Sequence, residues 1–231
     1  MEDRGYTNPD LLWSVEDLQD RLSDESVRVV DTRPVHEYIE GHVPGAIHLD
    51  LYGISLADTR PEPFAAFMTM FAYLLGSRGI GSDKTIVFYE NDSGMKAARG
   101  FWICEYHGHK NVHVLDGGLV AWREAGYDVA QICEVVESET FDSDPQPQLN
   151  IGYQEIVDQL SRDTFVPLDT RSEGEHYGTT VRAARGGSIP GAVHVEYVNN
   201  LDENGKFRAA DELRTMYLRA GVMPEQTVAC Y

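Results

Sequence analysis

The sequence predicts an α/β fold of two successive domains, each a mainly parallel sheet flanked by helices. Three observations point to it. Short β-branched and apolar runs alternate with helical patterns, the order that builds parallel sheets. That order starts again near residue 150 and runs through the same kinds of element. Finally, Thr85-Ile86-Val87-Phe88-Tyr89 and Thr227-Val228-Ala229-Cys230-Tyr231 share one pattern, each after a turn-forming segment, and both read as buried strands.

The elements follow in order. Ser14 is a suitable N-cap, with Asp17 three residues on, and Val15, Leu18 and Leu22 share a helical face. Val27 to Val30 is a buried strand ending in Asp31-Thr32-Arg33-Pro34. A polar stretch from His36 leads to Gly41-His42-Val43-Pro44-Gly45-Ala46, then a short strand from Ile47 to Leu49. Phe64 to Leu75 is an apolar helix ending near Gly76 and Gly79. After the Thr85 strand comes the polar loop Glu90-Asn91-Asp92-Ser93-Gly94, then a helix over Ala97 to Tyr106. Val112 to Leu115 is a strand, Asp116-Gly117-Gly118 a turn, and Leu119 to Ala125 a helix closed by Gly126.

From about Ala130 to Asn150 acidic residues and prolines dominate, which reads as a linker. Then Ile151 to Leu160 marks a helix and Phe165 to Leu168 a strand ending in Asp169-Thr170-Arg171. Ser188-Ile189-Pro190-Gly191-Ala192 precedes a strand from Val193 to Val195, and Asp211 to Ala220 is a helix before Gly221. Asp169 follows Asp31 by 138 residues, Gly191 follows Gly45 by 146, and Tyr231 follows Tyr89 by 142. The offset changes only in loops, as a duplicated domain requires. The boundaries expected are 9–129, a linker over 130–149, and 150–231.

Of 231 residues, 42% are apolar and 10% aromatic, enough for real cores. With 19 basic and 38 acidic residues the net charge is −19, which argues against nucleic acid or an anionic membrane as partner. An apolar run long enough for a membrane helix, or a secretory leader, is not seen. Cys104, Cys133 and Cys230 are odd in number and lack metal-ligand or disulfide spacing. Free thiols in a reducing, cytoplasmic compartment are expected, with no metal.

The motifs Asp31-Thr32-Arg33 … Glu37-Tyr38 … Gly41-His42-Val43-Pro44-Gly45-Ala46 resemble the first signature of rhodanese domains. So does Asp169-Thr170-Arg171-Ser172 … Gly187-Ser188-Ile189-Pro190-Gly191-Ala192. Val114-Leu115-Asp116-Gly117-Gly118 … Trp122 is similar to the segment that closes such a domain. Two in tandem resemble the thiosulfate and 3-mercaptopyruvate sulfurtransferases. The resemblance implies a silent first domain and a second domain whose nucleophilic cysteine directly follows the strand, opening a loop of inward-pointing N–H groups. A thiolate there becomes a persulfide, anionic before and after transfer, and needs no cofactor.

Several expectations follow. Glu90 stands in the first domain's cysteine slot, where a carboxylate cannot accept sulfur and is expected to meet repulsive negative potential. In the second domain that slot falls one residue past Tyr231, so the chain reads as ending before its active-site loop, with an exposed sheet edge and apolar face. Cys230 aligns with Phe88 and is expected to be a buried structural thiol, as is Cys104; Cys133 reads as a bystander. Asp31 with Arg33 and Asp169 with Arg171 are expected as structural ion pairs, and His42 as part of its turn.

The resemblance further implies basic residues near the second Pro-Gly turn that hold an anionic donor: Arg182, Arg185 and, lining the pocket, Tyr197. Glu175 stands where the family carries an arginine, which favours thiosulfate over 3-mercaptopyruvate. The expected function is transfer of sulfane sulfur from thiosulfate to cyanide or a thiol. The alternatives are 3-mercaptopyruvate sulfurtransfer, a non-catalytic rhodanese-like binding module and, more remotely, phosphatase or arsenate reductase chemistry. The sequence does not address the oligomeric state.

Overall fold

The structure is a computed structural model that describes residues 4–56 and 58–231, which form two compact units.

The first unit comprises Thr7–Asn150 and Glu203–Phe207. Its sheet runs β1 (Leu12–Trp13), β5 (Val112–Leu115), β4 (Thr85–Tyr89), β2 (Val27–Asp31) and β3 (Ile47–His48) in spatial order, all parallel. Neighbouring side chains on a strand point to opposite faces. Val30, Ile86 and Phe88 therefore pack with Phe71 and Leu75 of α3 (Pro61–Ser77) and Ile103 and Cys104 of α4 (Met95–Tyr106). Val29, Val87 and Tyr89 face the other way, onto Val15 and Leu18 of α1 (Val15–Gln19) and Leu119 and Trp122 of α5 (Gly118–Glu124). Strands buried on both faces explain their unbroken apolar runs.

Local signals account for most boundaries. Ser14 and Asp17 form the capping box that starts α1. Helix α3 begins at Pro61, where a missing N–H costs nothing and φ is already helical. Helix α2 (Val35–Glu40) follows Pro34. Strand β1 was not expected: two residues carry no periodicity, and Leu12 and Trp13 become a strand only by pairing with Val114 and Leu115.

The acidic segment after Asp128 lies along this unit, although its composition reads as a linker. Ala130 bridges to His42, Glu139 N donates to Gly76 O (2.9 Å), and Gln146 N donates to Tyr106 O (2.7 Å). Phe141 is buried in the core between these bonds.

The second unit contains Ile151–Asp202 and Arg208–Tyr231. Helix α6 (Tyr153–Gln159), β6 (Phe165–Asp169), α7 (Glu173–His176), β7 (Val193–His194), α8 (Ala210–Ala220) and β8 (Thr227–Cys230) follow in order. The sheet is parallel, with β6 between β7 and β8, so one edge of β8 has no partner strand among the described residues. Strand β6 is buried throughout, whereas on β8 only Ala229 is.

The expectation that Cys230 is a buried thiol is overturned: Cys230 is exposed, with Val228 on the same face. Alternation does separate Cys230 from Ala229. In the first unit Phe88 holds the matching register and is sealed by Gly100 of α4, where an added Cβ would lie 2.5 Å from the Phe88 ring. No described helix does this for Cys230. Cys104 is buried in α4, and Cys133 is exposed.

Candidate active site

The carboxyl ends of the parallel strands carry a dense polar network. In the second unit, Thr170 donates to Tyr231 O from both N (3.0 Å) and Oγ1 (2.9 Å). The Tyr231 hydroxyl accepts from Ile189 N at 2.9 Å, so both ends of this residue are tied down. Arg171 grips the Asp169 carboxylate with Nε (2.9 Å) and an Nη (2.7 Å), and its guanidinium lies 4.9 Å from the Tyr231 ring centroid. Burial works against ionised Asp169, but bonds from Arg171, His176 and the Arg171 N–H outweigh it and hold the carboxyl well below its usual range.

The first unit repeats this network. Thr32 donates to Tyr89 O from N (3.0 Å) and Oγ1 (2.8 Å), and the Tyr89 hydroxyl accepts from Val43 N (3.0 Å). Arg33 grips Asp31 and reaches Gly41 O at 2.8 Å, as Arg171 reaches Gly187 O at 3.1 Å. His48 and His194 each bond the arginine carbonyl at 2.8 Å. A network present in both units acts as architecture: it fixes the strand end from which the next loop departs. His42 belongs to it structurally, fully buried and bonded to Tyr38 O at 2.8 Å.

After Tyr89 comes that loop. The Glu90 carboxylate accepts from Lys96 N (2.7 Å) and Ala97 N (3.3 Å) in the first turn of α4, with its positive dipole end. Two main-chain N–H groups thus meet the carboxylate where repulsion was expected, although burial and the neighbouring Asp92 still work against its ionised form. Gly94 makes room, since a Cβ there would sit 2.4 Å from Glu90 Oε1. Leu119 N and Val120 N bond back to Glu90 O (2.8 Å) and Asn91 O (3.0 Å), and Ser93 joins Asp116 Oδ1 and Gly117 N, both at 2.7 Å.

Burial raises the Glu90 pKa despite the two N–H bonds. The folded value lies above the unfolded one, so ionised Glu90 costs stability at neutral pH; the cost shrinks as pH falls below the raised value and is gone below the unfolded one. Glu90→Gln keeps an acceptor without the charge. It is expected to raise the first unit's melting temperature at neutral pH, with the gain shrinking toward about pH 4. Thermal melts followed by tryptophan fluorescence check this; no gain at neutral pH would contradict it.

Of the sequence-derived binding residues, Arg182 pairs through Nε with Glu175 at 3.0 Å and is otherwise exposed. Arg185 is exposed and makes no ion pair among the described residues. Tyr197 is half-buried in a 3-10 turn, its N–H bonded to Thr170 O at 3.0 Å. Glu175 serves in the capping box of α7, where the Ser172 hydroxyl lowers its pKa first and Arg182 adds to the effect. His176 carries no sequence-derived role. Its Nδ1 lies 3.0 Å from Asp169 Oδ2, in the place that Tyr38 holds 138 residues earlier. The constant offset from Asp31 to Asp169 carried that signal.

A Rhodanese-like domain model matches residues 14–125. The chain is 31% identical over 229 residues to a putative thiosulfate sulfurtransferase of Haloferax volcanii, covering 95% of this chain and 79% of that one. It is 29% identical over 248 residues to the sulfur carrier protein TtuD of Thermus thermophilus, covering 98% and 84%. In fold it is similar to the 3-mercaptopyruvate sulfurtransferase SseA of Escherichia coli, with a TM-score of 0.82 at 22% identity, over 95% of this chain and 87% of that one.

Proposed function

The chain belongs to the tandem-domain rhodanese family, and we propose that it moves sulfane sulfur from thiosulfate to cyanide or a thiol, through a persulfide on a cysteine placed directly after Tyr231. One observation carries this reading. The end of β8 is held by the same threonine and main-chain bonds to its tyrosine as the end of β4, where the next residue opens a loop that holds a carboxylate at a helix N-terminus. A thiolate in the second unit's matching slot takes the position that the Glu90 carboxylate occupies in the first. It attacks the sulfane sulfur, sulfite departs with the bonding electron pair, and the acceptor then attacks the outer persulfide sulfur. The first unit is silent because its slot holds a carboxylate. No cofactor is required, and the three unpaired cysteines suit a reducing cytoplasm.

In this reading Arg182, Arg185 and Tyr197 receive the anionic donor. Glu175 in place of an arginine favours thiosulfate over 3-mercaptopyruvate. Arg182→Ala is expected to raise the KM for thiosulfate about 10-fold, the value of one lost charge-assisted bond of about 1.4 kcal/mol. Glu175→Gln, which releases Arg182 from its partner, is expected to lower it. Steady-state kinetics decide; an unchanged KM in both variants removes Arg182 from the site.

The function itself is tested by mixing the protein with thiosulfate, then measuring released sulfite and intact mass. Stoichiometric sulfite and a gain of ~32 Da, reversed by cyanide, are expected of a persulfide. Neither signal, with thiosulfate or with 3-mercaptopyruvate, would favour a non-catalytic binding module.

A further inference from the structure

Two aliphatic side chains of the acidic segment stand in water. Ile132 is 82% exposed and Val135 97%, whereas Val136 and Phe141 of the same segment turn inward and pack on the core. Val35 and Ile39, one turn apart on α2 and both more than half exposed, lie on the helix beside which this segment runs. The segment is fastened there by Gln131 Nε2 donating to Glu40 O (3.0 Å), by the Ala130–His42 bridge and by the bond between His42 Nε2 and Ile132 O (3.2 Å). Val129 covers Gly41, the residue that ends α2: an added Cβ would meet its Cγ2 at 3.3 Å. Exposed aliphatic residues scattered singly are ordinary, but a group of them in one place marks a contact surface.

The backbone of this stretch is unpaired as well. Among the described residues, no main-chain hydrogen bond joins residues 131–138 to another main-chain group. Side chains reach it at two points: His42 bonds Ile132 O, and the Glu134 N–H bonds the Tyr38 hydroxyl. The Ala130–His42 bridge is antiparallel and starts a ladder that the chain itself does not continue. Unpaired N–H and C=O groups in such a place are a template to which an extended peptide adds as a strand. Charge narrows the choice of peptide. From Glu124 to Asn150 the chain holds acidic residues and no lysine or arginine, and Glu40, Glu134 and Glu137 are exposed around the aliphatic group. Against these stands Arg123, which reaches Gly41 from α5. A second copy would bring the same acidic segment and a net charge of −19, so like-charge repulsion works against it.

We propose that residues 129–135 and α2 form a docking surface for a positively charged protein segment that presents alternate aliphatic side chains and adds to Ile132–Val135 as a strand. Main-chain bonds hold the segment, and Val35, Ile39, Ile132 and Val135 take its aliphatic side chains. Its lysines or arginines meet Glu40, Glu134 and Glu137. The surface is built by the first unit alone and does not depend on the sulfurtransferase reading. It gives the unit whose slot holds Glu90 a role in recognition.

The test uses the full-length protein and synthetic heptapeptides that alternate Lys with Val, Lys with Ser, or Glu with Val. The Lys–Val peptide is expected to bind, to shift the methyl resonances of Val35, Ile39, Ile132 and Val135, and to slow amide hydrogen exchange over residues 131–138. Affinity is expected to fall about 10-fold with the Lys–Ser peptide, and equally in the Ile132→Ser, Val135→Ser double variant. Both positions are exposed, so that variant keeps its fold, which an unchanged melting temperature checks. The Glu–Val peptide is expected not to bind, and high salt to weaken the Lys–Val complex. Equal affinity for the Lys–Val and Lys–Ser peptides, or equal affinity of wild type and double variant, would mean that charge alone attracts the peptide and would overturn the proposal. No binding, or no protection of residues 131–138, would overturn it too. Sedimentation and a soluble paramagnetic probe cover the other occupants. A dimer that the double variant dissolves assigns the surface to a second copy. Ile132 and Val135 methyls shielded from the probe in the free monomer assign it to further residues of the chain. Either result refutes docking of a basic segment.

Discussion

Asp31→Ala is expected to destabilise the first unit by about 3–5 kcal/mol, because it leaves a buried arginine without its counter-charge. The Arg33 side chain is 3% exposed and meets Asp31 at 2.6 Å. The same carboxylate also accepts from the Tyr89 hydroxyl, so a second buried donor is orphaned. A domain is stable by only about 5–15 kcal/mol in total, so the loss removes a large share. Trp13, Trp102 and Trp122 all lie in the first unit, which makes tryptophan fluorescence in urea the selective measurement.

Asp169→Ala in the second unit is expected to cost less, because the Arg171 side chain is 34% exposed and water can take over its charge. Far-UV circular dichroism would follow that unit. The Asp169 contribution has a definite pH sign. The folded pKa is depressed, so the stabilisation is present above about pH 4 and is lost as pH falls through the lower folded value. Equal losses for the two alanine variants would show that exposure of the arginine does not set the cost.

Gly118→Ala carries the second large expected effect, about 3 kcal/mol, again in the first unit. Gly118 has φ of +54°, and an added Cβ would stand 2.4 Å from Glu90 O and 2.8 Å from both Asn91 C and Asp92 N. All three are main-chain atoms, so no rotamer change relieves the contact. The loop must move, and the bonds from Leu119 N and Val120 N to it stretch or break. The left-handed backbone contributes about 1 kcal/mol and each lost bond about 1 more. Gly126→Ala is the control: its φ is +80°, but nothing lies within 4 Å. It should cost only the conformational part, about 1 kcal/mol. Similar losses for the two variants would mean that close approach of the loop to Gly118 is unimportant.

Much of the site was legible because its parts are local. The Asp-Thr-Arg triplets, the Pro-Gly turns and Asp116-Gly117-Gly118 each encode a short-range geometry. The recurrence of the first two at similar offsets placed Tyr89 and Tyr231 at equivalent strand ends. His176 stands at the same 138-residue offset from Tyr38, but a lone histidine beside Glu175 has no local pattern, and its bond to Asp169 exists only in the fold. Glu90 shows the limit of residue chemistry alone. A carboxylate in that slot is inert to sulfur, yet whether it is repelled or held depends on where the Lys96 and Ala97 N–H groups point.

By itself the sequence determined the alternation of strands and helices, the order of elements in both units, the strand-end triplets and the side of each strand on which a residue falls. Periodicity and turn chemistry act over a few residues and need no partner. Tertiary structure decided what covers each face. It made Leu12 and Trp13 a strand by setting them beside β5, docked an acidic segment through Phe141, buried Phe88 under Gly100 and left Cys230 exposed at the matching register. Burial is a property of what packs against a residue, and contacts between distant parts of the chain set it.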